Sequence, residues 1–170
     1  MYQKSNSILK KNISLIILII SGILLRLHDY NSEDLWFDEL LSFWVSDPNI
    51  SFFETFNRNS DVNAGGIVFA YILKLFFSIF GYNADIARIS TILFGVISLL
   101  CLVILTNKLK IKNILILLIF LFGFNSYLIS YDHELRLYSS IVFLSIFNFI
   151  FFENLVKKKK KFRFFTGFDY

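Results

Sequence analysis

Two acidic motifs in this chain have the residue types needed for catalysis or ligand binding. One is the pair Asp38 and Glu39, in the middle of the aromatic and apolar run at residues 35–40, and the other is formed by Asp132 and Glu134. Carboxylates beside apolar surface are costly to desolvate, so they need a charged partner, a metal ion or a catalytic role. The simpler interpretation of the first motif is a pair of loop acids beside an interfacial aromatic belt.

Carboxylates from two loops can bind a divalent cation that holds a phosphate, or one of them can act as a general base. Asp38, Glu39, Asp132 and Glu134 are therefore the candidates for these roles, and the residue types alone leave open which motif supplies the base and which holds the cation. Two local alternatives stay open for the second motif. Its acids can be stabilised by a helix dipole, and Asp132 can pair with Arg136, four residues later.

Arginine side chains lie near both acidic motifs in the topology predicted below, at Arg26, Arg58, Arg88 and Arg136. The planar guanidinium suits bidentate recognition of phosphate, so these arginines are candidate phosphate-binding residues. Arg26 is expected to snorkel at the end of a helix. A local ion pair with Asp85 is the alternative explanation for Arg88.

Two tyrosines flank the second acidic motif. Tyr131, Glu134 and Tyr138 have the spacing of one helical face, which predicts a polar stripe where a helix enters the membrane. Because ionisable groups in such a place are functional candidates, we include both tyrosines among the predicted substrate-binding residues.

The composition indicates an integral membrane protein. The 170 residues are 56% hydrophobic and 19% aromatic, with a net charge of +4 and a mean hydropathy of +0.62, whereas soluble domains are roughly 45–50% apolar. The positive charges are clustered, which favours a role in membrane topology over nucleic-acid binding. The single cysteine, Cys101, excludes an internal disulfide and a cysteine-rich metal site.

The hydrophobic pattern predicts an all-α polytopic membrane protein, with residues 1–170 as a single module. Four transmembrane helices are expected, and the loop at residues 30–86 is expected to carry juxtamembrane helices on the outer face. A plain loop is the alternative for that segment. The predicted spans are residues 9–29, 87–107, 113–131 and 137–156.

Charge placement gives the predicted orientation. Residues 67–80 are apolar but short and contain Lys74, so they are expected to lie at the interface and not to cross. The lysines before the first span, at residues 108–112 and at residues 157–161 then all face the cytoplasm, as the positive-inside rule prefers. Both termini are cytoplasmic in this topology, and both acidic motifs share the extracytoplasmic face of the plasma or inner membrane.

Three segments in order resemble a known family. Residues 35–39, 80–90 and 130–138 are similar to the first-loop acidic motif, the segment before the second span and the tyrosine-glutamate-arginine motif of the GT-C superfamily. These are membrane glycosyltransferases that depend on polyprenyl-phosphate sugars. The chain resembles the N-terminal part of family 39-type members, which include dolichyl-phosphate-mannose protein mannosyltransferases and aminoarabinose transferases.

The resemblance implies that a sugar moves from a polyprenyl-phosphate donor to an acceptor glycan, lipid or protein at the outer face of the membrane. The resemblance implies Asp38 and Glu39 as the catalytic residues, with Asp38 acting as general base on the acceptor hydroxyl or orienting it. Arg88, Arg136 or a divalent cation held by Asp132 and Glu134 would meet the phosphate charge. The implied partners are the donor, the acceptor and membrane lipids, and not nucleic acid. Asp61 is a further predicted substrate-binding residue, at the start of a stretch in which relatives often carry His-Pro-Pro.

The chain departs from the family in two places. Asn63 stands near the position of the histidine, and amide oxygens are poorer metal ligands, which weakens any metal site there. The chain is also shorter than such enzymes. The length makes a fragment of a longer enzyme, a non-catalytic truncated remnant or a lipid-binding membrane subunit the alternatives. A component of a small transporter or flippase is a further alternative, based on polar residues within the membrane.

Overall fold

The fold is known from a computed structural model that describes the backbone of residues 2–62, 66–109, 111 and 114–166 and the side chains of residues 13–62, 66–109, 111 and 114–157. Within these ranges the regular secondary structure is all helical. The helices are α1 (Tyr2–Leu27), α2 (Phe37–Val45), α3 (Phe52–Val62), α4 (Ile67–Phe80), α5 (Ala84–Lys108), α6 (Leu115–Gly123), α7 (Ser126–His133) and α8 (Tyr138–Thr166).

Two or three parts of this fold can cross a membrane. Helix α5 and the Tyr138–Lys157 part of α8 are each long and apolar enough, and α6 with α7 forms a third candidate span if the bent pair is counted as one. The predictions of an all-helical membrane protein and of spans at 87–107 and 137–156 agree with these helices. The apolar stretch of α1, Ile13–Leu27, is shorter, so four spans remain a prediction.

The segment predicted as one transmembrane helix at 113–131 is broken between α6 and α7, and it is a candidate span only if the bent pair is counted as one. Helix α6 ends at Gly123, α7 begins at Ser126, and the two axes are bent by 50°. Glycine is a poor helix former, and the Asn125 side chain accepts a hydrogen bond from the Leu128 backbone N–H at 3.0 Å, which caps α7. The break therefore follows from local sequence.

A second correction concerns the segment between α7 and α8. Residues 134–137 are not helical, so Tyr131, Glu134 and Tyr138 do not lie on one helical face as predicted. Asp132 lies in the last turn of α7, not at a helix N-terminus, so the helix-dipole alternative is also wrong. The chain turns here, and the turn brings the rings of Tyr131 and Tyr138 together, with centroids 4.9 Å apart.

Helix α5 is the centre of the bundle and packs against α1, α4, α6, α7 and α8. Near its C-terminal half, Leu99 is buried with Leu115 and Ile119 of α6. Near its N-terminal half, Ala87 is buried with Leu135 and with the inner face of α4. Through Leu135, the second cluster includes the segment that carries Glu134 and Arg136.

Short helices were expected between α1 and α5, and the structure has α2, α3 and α4 there; their place on the outer membrane surface stays a prediction. Lys74 of α4, only 4% exposed, donates to the carbonyl oxygens of Asp47 at 2.5 Å and Ile50 at 2.6 Å, in the loop between α2 and α3. The lysine that marks this apolar stretch in the sequence thus ties α4 to its neighbours. Burial lowers the pKa of its ammonium group, and the nearby Asp47 carboxylate opposes that shift.

Candidate functional site

Glu39 joins three segments of the chain. Its carboxylate is 1% exposed and accepts hydrogen bonds from Arg88 Nη2 at 3.2 Å, from the Leu135 backbone N–H at 2.6 Å and from the Trp36 backbone N–H at 3.2 Å. The last of these satisfies a free amide at the start of α2. The residue predicted as catalytic therefore holds the first loop against α5 and against the segment after α7.

Arg88 of α5 belongs to the same network of contacts between the first loop and the bundle. Its guanidinium, 8% exposed, donates to the backbone carbonyl oxygens of Tyr30 at 3.1 Å, Asp34 at 3.1 Å and Glu33, and pairs with Glu39. The local pairing with Asp85 considered above is not formed. With both terminal nitrogens engaged by the protein, Arg88 orders the loop at residues 30–34 and is less suited to phosphate than its residue type predicted.

Asp132 forms a buried ion pair with Arg26 of α1. Arg26 Nε donates to Asp132 Oδ2 at 2.7 Å, and the Ser139 hydroxyl donates to Oδ1 at 2.6 Å. A Cβ atom at Gly95 would lie 2.1 Å from Oδ2, so this glycine makes room for the carboxyl group against α5. The alternative that Asp132 pairs with Arg136 is therefore wrong, because Arg136 pairs with Asp38.

Arg26 also donates hydrogen bonds to backbone carbonyl oxygens next to the break between α6 and α7. It is 0% exposed, which corrects the expectation of snorkelling, and its Nη1 donates to the carbonyl oxygens of Gly22 at 2.9 Å and Gly123 at 3.0 Å. The Gly123 carbonyl lies at the end of α6, where helical partners run out. The sequence contained a signal for this pair. Arg26 and Asp132 each stand at the end of an apolar segment, where a charged side chain needs a partner of opposite charge.

Asp38 and Arg136 form a second, more accessible ion pair. Arg136 Nη1 donates to Asp38 Oδ2 at 2.8 Å. The Arg136 side chain is 31% exposed and the Asp38 side chain is 40% exposed. The guanidinium lies 5.7 Å from the Trp36 ring centroid and 5.4 Å from that of Tyr138, which packs on Tyr131. We call these five residues, Trp36, Asp38, Tyr131, Arg136 and Tyr138, the Asp38 cluster.

An open cleft of about 570 Å³ adjoins the Asp38 cluster, and the two share Trp36. Of the predicted site residues, Glu39, Arg88 and Glu134 line the cleft, together with His28 and His133, which sequence reasoning missed. Burial raises the pKa of the Glu134 carboxyl, the Glu39 carboxylate raises it further, and Arg136 opposes the shift. A carboxyl group that protonates more readily is suited to proton transfer.

The predicted metal ligands do not fit a shared ion. Asp132 points into the bundle with both oxygens hydrogen-bonded to protein, whereas Glu134 faces the cleft. Among the described side chains no group of three or more histidine, cysteine, aspartate or glutamate residues could hold a metal ion. Asp61 is exposed near the end of α3 and does not line the cleft, and Asn63 lies outside the described residues.

Comparisons of the chain with protein-family models, with curated proteins and with solved structures gave no match. The resemblance stated from the three sequence segments therefore stays a prediction. What the fold adds is independent of it, because residues 36–39 and 131–138, about a hundred positions apart in the chain, meet at one surface through the contacts of Glu39 and Asp38.

Proposed function

We propose that this chain is a membrane glycosyltransferase module that transfers a sugar from a polyprenyl-phosphate donor to an acceptor hydroxyl at the extracytoplasmic surface. The observation that carries the proposal is the Asp38–Arg136 ion pair, 2.8 Å long and partly exposed, set among three aromatic rings beside a cleft. A carboxylate accepts from hydroxyl groups, a guanidinium binds phosphate, and aromatic faces pack against apolar groups.

Arg136 is the better of the two predicted phosphate-binding arginines. Its side chain is 31% exposed and gives one N–H to Asp38, whereas Arg88 is 8% exposed and donates to three backbone carbonyls and to Glu39. A guanidinium carries five N–H donors in a planar fork, so Arg136 can turn toward a donor phosphate. Binding of the phosphate then competes with Asp38 for Arg136.

This competition supplies the proposed mechanism. Once the phosphate has taken over Arg136, Asp38 is released to accept the proton of the acceptor hydroxyl as general base. The acceptor oxygen attacks the anomeric carbon, the bond from that carbon to the phosphate oxygen breaks, and polyprenyl phosphate leaves with inversion at the sugar. Arg136 stabilises the negative charge that develops on the leaving phosphate. Glu39 and Arg88 keep the loop in place.

Replacing Asp38 by asparagine tests the proposal. Asp38→Asn keeps the shape of the side chain but removes the base, so sugar transfer should fall about one hundred- to ten-thousand-fold. Transfer is measured with a radiolabelled polyprenyl-phosphate sugar in membranes that carry the 170-residue chain. Asp85→Asn, an exposed acid at the start of α5, is the matched control and should keep full activity. Unchanged transfer with Asp38→Asn would remove this residue from the mechanism.

The second candidate function is a non-catalytic subunit that binds lipid phosphate. It is favoured by one observation, that Glu39, Arg88 and Asp132 are all engaged in holding segments of the protein together. Binding of polyprenyl phosphate that is weakened by Arg136→Gln, in a purified chain without transferase activity, would support this alternative over the first.

A further inference from the structure

A polar residue lies at the middle of the last candidate span. The apolar part of α8 runs from Tyr138 to Lys157, and Asn148 is ten residues from one end and nine from the other. With a rise of about 1.5 Å per residue and a hydrocarbon core of about 30 Å, this residue lies near the midplane of the bilayer. Amides are rare at that depth because hydrocarbon offers them no partner.

Asn148 belongs to a stripe that faces away from the rest of the protein. Only 11% of the apolar stretch of α8 is buried within the protein, against 44% for α5. The members of the stripe are exposed and recur every three or four residues, so they share one side of the helix. They are Ile141, Ser145, Asn148, Phe152 and Leu155.

The two polar residues of this stripe, Ser145 and Asn148, differ in whether they have a hydrogen-bond partner. The Ser145 hydroxyl donates to the Ile141 carbonyl of its own helix at 2.8 Å, so it needs no external partner. Across the side chains that the structure describes, the Asn148 amide forms no hydrogen bond. Leaving its donors and acceptor in lipid costs free energy that a neighbouring helix can recover.

We propose that α8 is a self-association helix, and that two copies of this chain pair along the Asn148 stripe about a two-fold axis normal to the membrane. Copies inserted in the same orientation hold Asn148 at the same depth. A carboxamide is both donor and acceptor, so two amides related by the axis satisfy each other. Ser145, one turn away, is small enough to let the two helices approach closely. The partner is therefore a second copy of the chain.

Energy transfer between donor- and acceptor-labelled full chains in phosphatidylcholine bilayers measures the association. Asn148→Leu should weaken it about tenfold, and Asn148→Gln, which keeps an amide, should retain most of it. Asn154→Leu is the matched control, because Asn154 lies near the end of the span and bonds to Lys108 at 2.5 Å. Chains that stay monomeric at all densities, or an association unchanged by Asn148→Leu, would overturn the proposal.

Disulfide cross-linking identifies the face and stays informative if Asn148→Leu fails to fold. In a Cys101→Ala background, Ser145→Cys should give a covalent dimer on oxidation, because the stripe is symmetric about the axis. Ile150→Cys should not, since Ile150 is 9% exposed and faces the bundle. Cross-linking through position 150 in place of position 145 would show that another surface mediates association and would contradict the proposal.

Discussion

At the scale of single residues, the two neighbours Asp38 and Glu39 have different environments that fit them for different roles. Glu39 is 1% exposed and fully hydrogen-bonded, while Asp38 is 40% exposed and shares one ion pair with Arg136. A buried, fully bonded carboxylate stabilises structure, and an accessible one can exchange its partner for a substrate. Asp132 and Glu134 differ in the same way, because Asp132 is buried and Glu134 faces the cleft.

The raised pKa of Glu134 predicts how stability depends on pH. Burial and the Glu39 carboxylate favour the protonated form in the folded protein, so the pKa is higher folded than unfolded. Between the ordinary value of 4.5 and the raised one, the folded state holds more protons than the unfolded state, so stability falls as pH rises. Glu134→Gln should remove this contribution to the loss of stability with rising pH.

Thermal unfolding in bilayer nanodiscs, followed across that pH range, checks this prediction. The wild-type midpoint should drop more steeply with rising pH than that of Glu134→Gln. Asp85→Asn, on an exposed acid, controls for the loss of a carboxylate. Equal slopes for wild type and Glu134→Gln would show that the environment of Glu134 is the same in both states.

At the scale of elements, a residue from another helix bonds to both sides of the break between α6 and α7. Arg26 of α1 contacts the Gly123 carbonyl at the end of α6 and the Asp132 side chain at the end of α7. It therefore fixes both halves of the bent segment. Arg26 therefore helps to set the direction of α7, and with it the position of Glu134 and Arg136, together with the hydrogen bond that the Thr91 hydroxyl donates to the Asp132 carbonyl oxygen at 2.8 Å.

Removing that guanidinium should be severely destabilising. Arg26→Met leaves the Asp132 carboxylate buried without its cation and should cost about 3–5 kcal/mol of unfolding free energy. The double variant Arg26→Met with Asp132→Asn removes both charges and should recover part of the loss. Unfolding in mixed micelles measures both. A cost below about 1 kcal/mol for Arg26→Met would mean that the ion pair does not hold the bend.

The helices were predictable to different degrees for physical reasons. Uninterrupted apolar runs indicated α5 and α8, because nothing in them stops a helix. The third run was predicted as continuous, although Gly123 and Asn125 carried the signals for a stop and a new cap. Those signals are weak next to so strong a hydrophobic pattern, and the contact from Arg26 to the Gly123 carbonyl oxygen, which accompanies the break, is not visible in the sequence.

At the scale of the whole molecule, the candidate site lies where the loop helices meet the bundle. Two ion pairs, Glu39–Arg88 and Asp38–Arg136, connect residues 49 and 98 positions apart. Sequence spacing suggested local partners, Asp85 for Arg88 and Asp132 for Arg136, because it reveals only neighbours on one helix. The residue types of the site were therefore predictable from the sequence, but their pairing required the tertiary fold.

The central claim is that residues 36–39 and 130–138 form one surface on the extracytoplasmic side. In a Cys101→Ala chain, single cysteines at positions 38 and 134 can be exposed in sealed vesicles to a thiol reagent that does not cross the bilayer. We predict that both positions are modified from the extracytoplasmic side. Modification of the two positions from opposite sides of the membrane would contradict the proposed site and the function argued from it.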